Sequence, residues 1–235
     1  MGRAFEFRKA RKFKRWDKMS KAFTRIGKEI VMAVKEGGPD PTTNARLRAV
    51  INNAKGVNMP KDRIEAAIKR ASNKDEKDYE EVVYEGYGPY GIAIVVETAT
   101  DNPVRTVANV RMHLTRSGGS LGKTGSLDFL FERKGIFRIP AEGKDIEELE
   151  LELIDHGAQD IYEHEGEIIV ETAFTDFGAM QKALEEMNIE ATSSELQRIP
   201  LNRTELTDEQ AEEIETLVEK LEEDDDVQAV FHNMG

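Results

Sequence analysis

Residues 72–78, SNKDEKD, separate two stretches with different hydrophobic periods. Before them, apolar residues recur every three or four positions, the spacing of one helix face. After them, β-branched and aromatic runs alternate with helical stretches. The chain must therefore fold as a helical head joined to an α+β body.

In the head, Met19, Phe23, Ile26, Ile30 and Val34 predict an amphipathic helix over 16–35. Gly37-Gly38-Pro39 ends it, since glycine accepts the left-handed cap and proline cannot continue the ladder. Leu47, Val50, Ile51 and Ala54 predict a second helix, with Thr42 or Thr43 as N-cap and Gly56 as its close. Pro60 opens a third, where its missing N–H costs nothing, and Ile64, Ala67, Ile68 and Ala71 form the inner face. This core is thin, so the head is expected to lean on something else.

The body opens with two predicted strands, 79–85 and 91–98, joined by a glycine-rich turn. A helix capped by Asp101, with Pro103 in its first turn, runs to about Arg116, and a strand over 127–132 follows. From 136 the order is strand 136–140, helix 145–156, strand 158–163, strand 167–173, helix 175–187, strand 189–199. That is βαββαβ, the ferredoxin-like sequence of elements. A helix at 207–223 and a strand at 227–232 remain to complete the sheet begun at 79. The expected fold is α+β and multidomain. A three-helix domain (1–72) precedes two ferredoxin-like α/β domains, with 134–200 inserted into 79–133 plus 201–235.

Charge follows the same division. Residues 1–72 carry a net +12 and the remainder −25, within a chain of net −13. Arg8 to Lys28 alone holds ten Lys/Arg against one acid, Asp17, with Phe13, Trp16 and Phe23 threaded between them. A cationic surface interleaved with flat rings suits a polyanion with stackable bases; the alternative is a solvated basic helix face. The candidate contacts are Arg8, Lys9, Arg11, Lys12, Lys14, Arg15, Lys18, Lys21, Arg25 and Lys28, together with Arg46, Arg48, Lys55, Arg63, Lys69 and Arg70. Lysines grip phosphates, while arginines can also pair with base edges.

An opposite charge cluster, Glu222, Glu223, Asp224, Asp225 and Asp226, gathers at a predicted helix end, where the dipole disfavours it. It reads as a solvated acidic turn, or as an edge facing the chain's own basic head or a basic partner.

Other stretches imitate chemistry without its context. Gly86-Tyr87-Gly88-Pro89-Tyr90-Gly91 matches G-x-G-x-x-G, but a strand follows it where a dinucleotide loop needs a helix. Ser117 to Thr124 ends like a P-loop, yet Ser117 replaces the first glycine and the flanking elements run in reverse order. Lys123 there reads as a solvated loop lysine, or as a contact to a phosphate backbone. His113, His156, His164 and His232 lack metal-ligand spacing, and no nucleophile–base pattern stands out. No cofactor, metal or catalytic residue is expected.

The chain contains no cysteine, compatible with a reducing cytoplasm, and no apolar run approaches the roughly 20 residues of a spanning helix. Glu6 sits where an N-myristoylation motif beginning at Gly2 wants Ser or Thr. A cytoplasmic protein without membrane contact is expected.

KEGGPDPTTNARLRAVINNAKGVNMPKDRIEAAIKRA, followed in order by YEGYGPYGIAIVVETATDN, GSLDFLFERKG and DDDVQAVFHN, resembles the YebC/PmpR family over nearly the whole chain. That family comprises probable transcriptional regulators, and its organellar relatives are translational activators. The resemblance implies a helical first domain, two α/β domains, and a cytoplasmic, nucleic-acid-binding regulator without catalytic residues. Two positions depart from the family's pattern. Gly2-Arg3-Ala4-Phe5 replaces a Gly-His-Ser-Lys-Trp opening, and Tyr90 stands where glycine is usual. The expected partner is DNA, bound through the head. A ribosome- or mRNA-associated translation factor is the alternative, because ferredoxin-like sheets are frequent RNA platforms, although no RNP-type aromatic signature is present.

Overall fold

The computed structural model describes residues 3–73 and 78–235; the side chains of 3–18 lie outside that description. The head comprises α1 (Arg3–Gly37), α2 (Ala45–Gly56) and α3 (Lys61–Ala71). Ile26, Ile30, Val31 and Val34 of α1 pack on Leu47, Val50 and Ala54 of α2 and on Ile64, Ala67 and Ala71 of α3. Each buried Leu, Ile or Val side chain among these stabilises the head by roughly 1.5–3 kcal/mol. The second helix is capped by Asn44, not by Thr42 or Thr43: the Leu47 N–H donates to Asn44 Oδ1 at 3.0 Å. Asn44 also donates to Ala33 O and Gly38 O, so it joins α2 to the end of α1. Thr42 instead donates to Asp40 in the preceding turn.

The body contains two four-stranded antiparallel sheets. β1 (Glu80–Tyr87) and β2 (Ala93–Thr100) form the hairpin; α4 (Pro103–Arg116) and the short β3 (Ser120–Leu121) follow. β4 (Phe131–Pro140), α5 (Ile146–Leu153), β5 (Ala158–His164), β6 (Glu167–Ala173), α6 (Phe177–Glu186) and β7 (Ser193–Pro200) make the βαββαβ unit. α7 (Asp208–Glu222) and β8 (Val227–His232) then return to the first sheet.

The strand orders are β3-β1-β2-β8 and β5-β6-β4-β7. Only the second has the ferredoxin-like order, with the first and third strands of its unit in the middle. The first sheet is centred on the β1–β2 hairpin, because β8 joins β2 from the far end of the chain. Both sheets carry two helices on one face. α4 and α7 bury Val110, Leu114, Ile214, Leu217 and Leu221 against Ile92, Ile94 and Val96. α5 and α6 bury Leu149, Leu153, Met180 and Leu184 against Phe137, Ile139, Ile168 and Val170.

Residues 127–132 do not form a strand of their own. Asp128–Leu130 is a 3-10 turn, and Phe131 begins one long strand running through Pro140. That strand serves two cores. Leu127 and Phe131 cover Ala93 and Val95 on the helix-free face of the first sheet, while Phe137 and Ile139 enter the core of the second. At the hairpin turn Tyr90 holds φ 60°, the left-handed region that favours glycine. The fourth helix is capped by Asn102, whose Oδ1 accepts from the Arg105 N–H; Asp101 pairs with the Arg105 side chain instead.

The head is wedged against both sheets. β7 is an edge strand, and α2 covers it: Asn53 exchanges two hydrogen bonds with the Ser194 backbone, at 2.9 and 2.8 Å. Gly56 lies so close that a Cβ there would meet Thr192 O at 1.9 Å. An edge with unpaired backbone groups is a liability, and here a side-chain amide occupies it. Arg198 of β7 reaches Glu97 of β2 at 2.7 Å and ties the two sheets together.

Candidate nucleic-acid interface

The cations of the head fall into groups with different roles. Lys28 faces inward. Its ammonium donates to Asp226 Oδ1 at 2.8 Å, to Asp225 O at 2.8 Å and to Ala99 O at 2.9 Å. The Tyr79 ring lies 5.1 Å from it. An ammonium has three donors, so this one has none left for a phosphate. Arg25, one turn earlier, donates to Glu222 O at 3.1 Å. Lys21 and Arg25 border a narrow crevice with Glu222, Asp224 and Asp225. The stretch of α1 from Lys21 to Lys28 is thus clamped to the turn between α7 and β8.

Asp226 is the centre of that clamp. Only 4% of its surface is exposed, and it accepts from Lys28, Arg105, Thr100 and Thr106. Burial alone would raise its pKa, but the bonds from Lys28, Arg105 and Thr106 outweigh burial and lower it to about 2. Arg105, Thr100 and Thr106 were not singled out in the sequence. The one signal for them is the threonine on each side of Asn102-Pro103, a position that a helix start can turn inward.

Arg46 and Arg48 are also engaged. Arg46 bridges Glu36, at 2.6 Å, and Glu81 of β1. Arg48 reaches Glu185 of α6 at 2.9 Å and donates to Pro41 O and Thr42 O. Lys55 is exposed beside an open cleft of about 460 Å³ between α2 and α6, whose rim also carries Arg48, Glu185 and Glu190.

Arg63, Lys69 and Arg70 of α3 are exposed. The Arg63 guanidinium sits 5.8 Å from the centroid of Phe23 on α1, so α3 presents its charge directly beside the basic helix. Among the described residues, Lys55, Arg63 and Lys69 are in no ion pair with a carboxylate. The side chains of Arg8, Lys9, Arg11, Lys12, Lys14, Arg15 and Lys18 lie outside the described residues.

In the acidic cluster, Asp224 accepts from Asn109 at 2.8 Å and from the Asp226 N–H at 2.9 Å. Glu223 and Asp225 are exposed beside the clamp. Among the described residues no group of three or more His, Asp or Glu is placed to hold a metal ion, and no helix is long and apolar enough to cross a membrane.

Comparison with known proteins places this architecture. Residues 3–74 match the TACO1/YebC protein N-terminal domain, and residues 79–234 match the TACO1/YebC second and third domain. The chain belongs to the TACO1/YebC family. A relative from Cytophaga hutchinsonii, called a "probable transcriptional regulatory protein", is 68% identical over the whole of this chain and 99% of its own. One from Myxococcus xanthus with the same description is 54% identical, with both chains covered in full. A crystal structure of a conserved hypothetical protein from Aquifex aeolicus shares 37% identity and superposes with a TM-score of 0.79 over 92% of this chain and 90% of that one. The helical segment followed by two α/β units is therefore the fold of the TACO1/YebC family.

Proposed function

We propose that the protein is a non-enzymatic regulator of gene expression that acts in the cytoplasm and binds DNA through its helical head. The observation that carries this reading is the division of labour among the head's cations. Those facing inward dock the head on an acidic body, whereas Lys55, Arg63 and Lys69 stand at the surface without carboxylate partners among the described residues. Relatives described as probable transcriptional regulatory proteins support it. Lys28, Arg25, Arg46 and Arg48 act as docking residues in this account. The contacts to nucleic acid come from α3, Lys55 and the basic run at the start of α1.

Binding through phosphates releases counterions. With about six phosphates neutralised, log affinity for duplex DNA falls against log salt with a slope near −5. Fluorescence anisotropy across a salt series measures it, and a flat response contradicts the proposal. The exposed Glu223 and Asp225 repel a polyanion brought to the neighbouring basic helix. The double variant Glu223→Gln/Asp225→Asn is expected to bind about two- to threefold more tightly at low salt, and the gain fades as salt screens it. Unchanged affinity at every salt concentration would remove the acidic turn from the account.

An RNA target, on the ribosome or on messenger RNA, is the second reading, favoured by the ferredoxin-like order of the βαββαβ unit. Classical sheet-face recognition is not part of it. On the helix-free face of that sheet Lys134 pairs with Glu171, and Tyr162 donates to the same carboxylate. Crosslinking in cells, followed by sequencing of both DNA and RNA recovered with the protein, separates the readings. Ribosomal or messenger enrichment without promoter enrichment selects the second.

A further inference from the structure

The body is strongly acidic, yet residues 102–127 contain no Asp or Glu at all while holding Arg105, Arg111, Arg116 and Lys123. This span is α4, the edge strand β3 and the glycine-rich loop that follows it. Arg105 belongs to the Asp226 clamp. Arg111 and Lys123 are exposed and, among the described residues, in no ion pair.

Arg111 and the loop lie on the same flank. α4 packs over β1 and β3. One side of it, marked by Asn109, reaches Asp224 at the end of α7. Arg111 is two positions further on, about 200° round a helix of 3.6 residues per turn. It therefore lies on the opposite side, toward β3. Residue pairing sets its height as well. α4 starts where β2 ends, opposite Glu80, and finishes at the turn beside Tyr87. Arg111, about five residues short of that finish, is level with Glu85, where the loop leaves the sheet.

The loop is held in place. Glu85 is 3% exposed, and its carboxylate accepts from the Gly125 N–H at 2.8 Å and from the Leu127 N–H at 2.6 Å. The Gly122 N–H donates to Glu85 O at 2.7 Å. Gly125 takes φ +82°, which few other residues tolerate. A buried carboxylate is thus committed to fixing a solvent-exposed turn. That turn presents the Lys123 ammonium, the Thr124 and Ser126 hydroxyls, and the backbone N–H groups of Lys123 and Thr124, which have no acceptor among the described residues. One exposed carboxylate, Asp128, stands at the far end of the turn.

We propose that Arg111 and the 122–126 loop form a second phosphate-binding surface on the middle of the body, taking the backbone of a nucleic acid. Fixed N–H donors beside a lysine and an arginine suit one or two phosphodiester groups and carry no base information. The sequence resembles a nucleotide-binding loop at this point. The fold uses it differently: a helix precedes it and an edge strand lies inside it, so no helix N-terminus faces the phosphates.

This inference rests on the nucleic-acid reading, and its test is built to fail separately. The full-length protein, Arg111→Ala/Lys123→Ala and Arg63→Ala/Lys69→Ala are compared on duplex DNA and on a structured RNA across a salt series, with thermal melting to verify folding. The Arg111/Lys123 variant is expected to bind about tenfold more weakly at 0.1 M salt, with a slope shallower by about 2 on DNA and by less on single-stranded RNA. If it binds as the parent does at every salt concentration on both ligands, the second surface is overturned, whatever the head variant does. A loss confined to the head variant leaves the head reading intact without this surface. A loss confined to the Arg111/Lys123 variant supports the surface and removes the head. Equal binding by all three proteins overturns both.

Discussion

Asp226→Ala is expected to destabilise the protein by about 3–5 kcal/mol, read as a drop in the urea midpoint, and to release α1 from the first sheet. The carboxylate is almost fully buried and serves Lys28, Arg105, Thr100 and Thr106 together. Its removal leaves an ammonium in a site closed to water, a far larger penalty than the loss of a surface pair. Asp226→Asn keeps an acceptor oxygen and the shape, so its cost should be smaller. The linkage to pH is separable. The pKa of Asp226 is lowered from 3.8 to about 2, so the native state holds the proton less readily than the unfolded chain. The corresponding stability, about 2 kcal/mol, is complete above pH 4 and disappears as pH falls through 2. The parent should therefore lose stability between pH 4 and 2 more steeply than Asp226→Asn. Parallel acid titrations would show that the carboxylate is not the hub of this clamp.

The same residues show what could be read in advance. The strands at 167–173 and 227–232 were legible to the residue because their runs of β-branched and aromatic residues are sharply bounded. Helix starts were less legible. At both 42–44 and 101–102 several capping residues stand side by side, and the choice between them depends on other contacts. Asp40 takes up Thr42, and Arg105 takes up Asp101, leaving Asn44 and Asn102 as caps. The join at 131 was missed because the strand there changes partners from one core to another without any break in its pattern.

The role of Lys28 was hidden for a related reason. It lies opposite the apolar stripe of α1, the side that a hydrophobicity pattern assigns to solvent. Yet α1 is packed on two sides, and the second is buried by charge pairing. A polar residue that becomes buried through a carboxylate nearly 200 positions away leaves no local signature. The basic run makes the head the cationic part of the sequence, but charge counting cannot separate cations that dock from cations that face solvent.

The second large effect concerns the other side of that docking. Glu29 lies on α1 where the head meets both sheets, and its pKa is raised from 4.5 to about 7. Burial is the main cause. Glu195 of β7 and Glu81 of β1 push the same way, while Arg46 and Arg25 oppose them. A carboxyl whose folded pKa lies above its unfolded value contributes fully below about pH 4.5. That contribution is lost as pH rises to 7, where the native state must hold a buried negative charge beside two others. The full shift corresponds to about 3 kcal/mol, and partial solvent contact reduces the expected value to about 2 kcal/mol. Glu29→Gln removes this titration while keeping the shape. It should match the parent at pH 5 and exceed it by about 2 kcal/mol at pH 8, measured by urea unfolding at both pH values. Asp226 is ionised at both, so it cancels from the comparison. A gain equal at pH 5 and pH 8 would mean that Gln simply packs better, and that the junction between head and sheets does not sense the proton. Because Lys28 holds the head on one side while Glu29 titrates beside it on the other, the pH 8 comparison reads the cost of ionising a buried carboxylate at the junction between head and sheets.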